Sequence, residues 1–135
     1  METKPESYFG VHFMVDGYNA PKAALKDEQA FREMLTTLPK KMGMYALSEP
    51  LVMEVGPNNK KDPGGLSGFV LIAESHISFH TFPDRGFVTI DVYTCQDELA
   101  TDMFLEEFRA IFKFQNADTH LVRRGTSYPT VDIDT

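Results

Sequence analysis

His76-Ile77-Ser78-Phe79-His80-Thr81-Phe82-Pro83-Asp84-Arg85-Gly86-Phe87-Val88-Thr89-Ile90-Asp91-Val92-Tyr93-Thr94-Cys95 decides the fold. Two runs that alternate between apolar and polar residues flank a short stretch rich in turn formers. That pattern predicts a β-hairpin with strands His76–Phe82 and Phe87–Thr94. Side chains alternate across a strand, so Ile77 and Phe79 fall on one face with Val88, Ile90 and Val92. His76, Ser78, His80, Thr89, Asp91, Tyr93 and Cys95 fall on the other. One face is built to be buried. The other carries two histidines, an aspartate and the only cysteine, and is left for solvent or a partner.

Working outward, Ser67–Glu74 predicts a further strand, and Tyr8–Asp16, rich in aromatic and β-branched residues, a first one. Met44–Val55 reads as extended, interrupted near Pro50. Gly56 to Gly65 is dense in turn residues and reads as a loop. Ala30, Phe31, Met34, Leu35 and Leu38 recur at helical spacing, so Asp27–Leu38 predicts a helix that Pro39 ends or kinks. Leu99, Met103, Phe104, Phe108, Ile111 and Phe112 make the buried stripe of a second helix over Asp97–Phe114. Thr119–Arg124 reads as a last strand, and Gly125 to Thr135 as an exposed arm. The expected fold is α+β: a two-layer sandwich of a mostly antiparallel sheet with two helices on one face.

The 135 residues suit one domain. A formal charge of −7 argues against a nucleic-acid partner. One cysteine excludes an internal disulfide and a two-cysteine zinc motif. No apolar run approaches membrane-spanning length, and the polar start carries no signal-peptide core. The cytoplasm is the expected compartment. His12, His76, His80 and His120 show no metal-ligand spacing with acidic partners, so no metal is expected.

Taken alone, Ser75 reads as a structural serine, and Cys95 as a small buried hydrophobe. Context changes that. The string Gly65-Leu66-Ser67-Gly68-Phe69-Val70-Leu71-Ile72-Ala73-Glu74-Ser75-His76-Ile77-Ser78-Phe79-His80-Thr81-Phe82-Pro83, followed by Asp91-Val92-Tyr93-Thr94-Cys95, resembles the self-cleaving segment of the small prokaryotic S-adenosylmethionine decarboxylases. The resemblance extends from Gly10-Val11-His12-Phe13-Met14-Val15-Asp16-Gly17-Tyr18 to Leu121-Val122-Arg123-Arg124-Gly125. It implies a proenzyme cut between Glu74 and Ser75 into 1–74 and 75–135, the β and α chains. Ser75 is then converted to a covalently bound pyruvoyl group. His80, at the matching offset, assists elimination during processing, and Ser67 supports it. His76 has only an orienting or structural part. Cys95 is the acid that protonates the substrate carbon. A cysteine with a reference pKa of about 8.5 holds its proton at neutral pH.

The chemistry implied is decarboxylation of S-adenosylmethionine through a Schiff base, without pyridoxal phosphate, to supply aminopropyl groups for spermidine synthesis. The alternative on the same fold is a pyruvoyl-dependent arginine or ornithine decarboxylase. A regulatory subunit of this kind is expected to lack the serine or the cysteine, and both are here. By position, Phe82 and Asp84 are candidates for adenine and ribose. Their bland readings are a core phenylalanine and a turn-forming aspartate. Many family members carry tryptophan and glutamate at these two places, and the Asn58–Gly65 loop is longer than is usual. Ser67 and Ser75 share a side on a continuous strand, yet eight residues at about 3.3 Å each separate them too far for contact. A bend, another strand or another subunit is required. The open polar face invites a homodimer with sites near the interface.

Overall fold

The computed structural model describes residues 8–58, 63–129 and 131. A six-stranded antiparallel sheet carries both helices on one face. Its elements are β1 (Gly10–Tyr18), α1 (Glu28–Lys41), β2 (Leu51–Val55), β3 (Gly65–Ile72), β4 (Ser75–Phe82), β5 (Phe87–Thr94), α2 (Thr101–Phe112) and β6 (Asn116–Arg124). The strand order is β2-β3-β4-β5-β1-β6. The expected α+β sandwich is what the chain forms.

The alternation read from the sequence fixes the two faces. Val11, Phe13 and Val15 of β1 join Val70, Ile72, Ile77, Phe79, Val88, Ile90 and Val92 under the helices. Phe31, Met34, Leu35 and Leu38 of α1 and Phe104, Phe108 and Phe112 of α2 close the core from the other side. Its centre is aromatic. The Phe31 ring lies 4.7 Å from Phe112 and 5.0 Å from Phe79.

Asp27 caps α1 by accepting the Ala30 N–H at 3.2 Å, while Lys40 and Lys41 face the negative end of the helix dipole. The helix does not end at Pro39. It runs to Lys41, because a proline in the last turn forfeits a single ladder bond and the Met42 N–H still reaches the Leu38 carbonyl at 3.0 Å. The second helix is shorter than its apolar stripe predicts. Ala100, with ψ 74°, stands outside it, and Lys113 stops it in the left-handed region at φ 60°. Of the segment read as extended from Met44, only Leu51–Val55 forms a strand, although Ala46 bridges to Ile72. β6 begins three residues earlier than expected, at Asn116, because it pairs along the whole of β1.

The β4–β5 turn is a short 3₁₀ segment, Pro83–Arg85, closed by Gly86 at φ 60°. A Cβ there would approach Ala20 O to 2.9 Å, so both conformation and space require glycine. Residues 59–62 of the turn-rich loop, and 130 and 132–135 of the arm, lie outside the described residues. The described part of the arm is exposed, with Tyr128 packed on Phe9 at 4.9 Å.

Candidate active site

Two clusters hold the residues that the sequence singles out. The first surrounds Ser75, which opens β4 directly after the two-residue turn Ala73–Glu74. That turn pairs Ile72 with Ser75 and so puts Ser75 on the helix side of the sheet. Ser67, by contrast, faces the open side. Even spacing on one continuous strand predicts a shared side, and the two-residue turn inverts the parity.

Ser75 is 5% exposed. Its hydroxyl donates to Thr94 Oγ1 at 3.0 Å and approaches Met44 Sδ at 3.7 Å. Thr94 is its cross-strand partner, and Cys95 follows directly. Cys95 is a half-buried free thiol. Gly10 keeps the chain close here: a Cβ on it would lie 2.9 Å from Cys95 Cα. The residue before Ser75 is strained. Glu74 has φ 51°, a left-handed conformation that few side chains other than Asn and Asp adopt readily.

The second cluster lies on the open face. Ser67 and His80 are cross-strand partners, and Ser67 Oγ is 2.7 Å from His80 Nδ1. That bond fixes the ring by its Nδ1 edge. Five residues of β4 separate His80 from Ser75, about 17 Å of strand. Their side chains also point to opposite faces. Within one chain, therefore, Ser75 stands with Thr94, next to Cys95 in the chain, and Ser67 stands with His80; Ser75 and His80 do not meet.

Phe82 and Asp84 lie beyond His80, at the end of β4 away from Ser75. Phe82 is half-buried on the open face rather than in the core. It stacks on Phe87 at 5.6 Å, which stacks on Tyr18 at 5.4 Å. Asp84 is exposed in the 3₁₀ turn, and Lys22 Nζ lies 2.8 Å from it. The hydrogen bond from Lys22 holds its carboxyl below the usual range.

Three features escaped the sequence. Thr94 and Met44 surround the Ser75 hydroxyl. Gln96 donates its backbone N–H to Thr94 Oγ1 at 3.2 Å and its side-chain amide to Met42 O at 3.0 Å. On the open face, His12 Nε2 lies 2.8 Å from Asp91 Oδ1, while Tyr93 packs between His76 at 5.5 Å and the Arg124 guanidinium at 5.3 Å. Burial and the neighbouring His12 push the pKa of His76 below its ordinary value, with Asp91 opposing and Arg124 reinforcing the shift. Thr94 had one available signal: it is the polar member of the inward row Val88, Ile90, Val92.

The open face is also apolar along its β2–β3 side. Leu51, Met53, Phe69 and Leu71 are exposed there, and with His76 and His80 they line a groove of about 420 Å³. Among the described residues no helix is long and apolar enough to cross a membrane.

The sheet is covered by helices on one face, and a buried serine follows a turn residue at φ 51°, with a cysteine one residue past its cross-strand partner. Residues 11–125 match the family model of S-adenosylmethionine decarboxylase. The chain is 34% identical over 125 residues to the S-adenosylmethionine decarboxylase proenzyme of Synechococcus sp. strain WH7803, covering 93% of this chain and 92% of the relative. It is 36% identical over 120 residues to the proenzyme of that name from Thermococcus gammatolerans, covering 86% and 76%. The crystal structure of the adenosylmethionine decarboxylase from Aquifex aeolicus superposes with a TM-score of 0.72 at 26% identity, covering 96% of this chain and 98% of that one. The chain belongs to the S-adenosylmethionine decarboxylase family.

Proposed function

We propose that the protein is a proenzyme that cuts itself between Glu74 and Ser75 and then decarboxylates S-adenosylmethionine. The observation that carries this reading is the Glu74–Ser75 junction. Its hydroxyl is buried and oriented, its preceding residue is held at φ 51°, and a thiol stands one residue past its cross-strand partner.

Processing starts with the Ser75 hydroxyl oxygen attacking the Glu74 carbonyl carbon. The O–C bond forms, the C–N bond breaks, and the hydroxyl proton ends on the Ser75 nitrogen. Loss of the Ser75 α-proton then expels the acyl chain. Hydrolysis of the remaining dehydroalanine releases ammonia and leaves a pyruvoyl group. The residues suit that product, since Ser75 begins the new chain, sits out of water and has Cys95 one residue past its cross-strand partner. Once formed, the group supplies an electron-withdrawing carbonyl that takes up the electron pair left by departing carbon dioxide. Cys95 holds the proton that returns to the substrate carbon.

His80 and Ser67 serve this chemistry from a second copy. Inside one chain the 17 Å span of β4 keeps His80 from Ser75, whereas two open faces packed face to face carry each copy's Ser67–His80 pair toward the other copy's junction. The exposed Leu51, Met53, Phe69 and Leu71 give that contact an apolar surface, and a two-fold dimer uses such a patch on both partners. Phe82 then brings an aromatic face for adenine, with Asp84 as a carboxylate for the ribose hydroxyls. The site needs neither pyridoxal phosphate nor a metal, and the enzyme works in the cytoplasm, supplying decarboxylated S-adenosylmethionine as aminopropyl donor for spermidine.

The test is a product assay on purified protein with S-adenosylmethionine, arginine and ornithine supplied separately. Carbon dioxide release is expected from S-adenosylmethionine at the highest kcat/KM. Agmatine or putrescine as the dominant product moves the substrate to a free basic amino acid.

A further inference from the structure

We infer that Thr94 is the positioning residue for self-cleavage: its hydroxyl anchors the hydroxyl of Ser75 for attack on Glu74. This rests on the self-processing reading above and goes beyond it by naming the group that sets the nucleophile.

The inward rows of β4 and β5 are apolar almost throughout. β4 contributes Ile77 and Phe79, and β5 contributes Val88, Ile90 and Val92, all at most 1% exposed. Where the two strands reach the Ala73–Glu74 turn, this row changes character. Ser75 and Thr94 face each other across the ladder, both buried, with their hydroxyl oxygens 3.0 Å apart. Packing alone would be served as well by valine at position 94. Its shape matches threonine, and its neighbours in the row are Val88, Ile90 and Val92.

The direction of the hydrogen bonds matters for the chemistry. Ser75 is the donor and Thr94 Oγ1 the acceptor. The Gln96 N–H donates to the same oxygen at 3.2 Å, and the Thr94 hydroxyl turns its own hydrogen toward Met44 Sδ at 3.8 Å. Thr94 is thus held by a backbone donor on one side and a thioether on the other, and it fixes where the Ser75 proton points. The Ser75 lone pairs are then left for the carbonyl of Glu74, the residue held at φ 51°. Met44 Sδ, the other neighbour of that hydroxyl, is a weak acceptor and gives a poor alternative anchor. Misplacing a nucleophile by about 1 Å costs on the order of a hundredfold in rate.

The experiment follows the uncut chain over time, by intact mass, for wild type, Thr94→Val, Thr94→Ala and Thr94→Ser, each with its urea midpoint measured. Wild type should cut at Glu74–Ser75. Thr94→Val and Thr94→Ala should cut about tenfold to a hundredfold more slowly, and Thr94→Ser should recover most of the rate. Two hydroxyl-free variants of different volume separate loss of the hydroxyl from a packing fault. Wild-type cutting with Thr94→Val equally fast overturns the role of Thr94 alone. So does Thr94→Ser cutting as slowly as Thr94→Val, because the hydroxyl would then be irrelevant. A wild-type chain that stays folded and uncut overturns the self-processing reading itself, and the role of Thr94 with it.

Discussion

Mixing two defective chains distinguishes a shared site from one built within a single chain. Ser75→Ala removes the attacking oxygen, and His80→Ala removes the imidazole about 17 Å away along β4. Each variant alone should stay uncut or cut very slowly. In a face-to-face dimer, a His80→Ala chain paired with a Ser75→Ala chain regains one complete set: its own Ser75 and Cys95 with the partner's intact Ser67–His80 pair. Random exchange of equal amounts puts about half of the His80→Ala chains in such mixed dimers. About half of all His80→Ala chains, nearly every one of those recovered through both tags, and none of the Ser75→Ala chains should therefore be cut. The assay is co-expression with two distinguishable tags, capture through both tags in sequence, and intact mass of each chain. Doubly captured dimers in which the His80→Ala chain is no more cut than on its own would refute the shared site. Absence of any doubly captured species would refute the dimer.

Cys95→Ala should leave cutting at Glu74–Ser75 in place while lowering kcat for decarboxylation by about a hundredfold or more, as loss of a general acid does; a normal turnover rate would demote the thiol to packing. Phe82→Ala should raise KM for S-adenosylmethionine and remove a face of the Phe82–Phe87–Tyr18 stack, an aromatic contact worth about 0.5–1.5 kcal/mol; an unchanged KM would take adenine away from this row. His76 adds a pH dependence. Its folded pKa lies below the unfolded value of 6.5, so the unfolded chain binds the extra proton first. Its contribution to stability is complete above about pH 6.5 and is lost as pH falls through the folded pKa. The urea midpoint of wild type should therefore fall more between pH 7.5 and pH 5.5 than that of His76→Gln, and equal falls would contradict the assignment.

The hairpin from His76 to Thr94 was legible because period-two alternation and the Pro83–Gly86 turn are local signals. So was the start of α1, where Asp27 is a side-chain cap. The ends of both helices were not. Pro39 carries a rule against helix interiors that loosens in a last turn. The second helix, expected from Asp97, starts four residues later at Thr101, and the Asp97 carbonyl accepts the Tyr8 hydroxyl at 2.7 Å instead. The candidate site divides the same way. The family resemblance pointed to Glu74, Ser75, Ser67, His80 and Cys95. Which of them touch depends on strand register, and the two-residue turn at Ala73–Glu74 reversed the side on which Ser75 falls relative to Ser67. Thr94 and Met44 stand 19 and 31 positions from Ser75. Their meeting is a product of strand pairing and chain packing, which no local pattern encodes.

The most direct measurement of the central claim is the intact mass of the purified protein after long incubation. The expected result is two fragments, residues 1–74 and 75–135, with the second lighter by one ammonia than a serine-terminated chain and blocked to amine-directed sequencing. A folded protein that remains a single full-length chain, or a second fragment that begins with an unmodified serine, would contradict it.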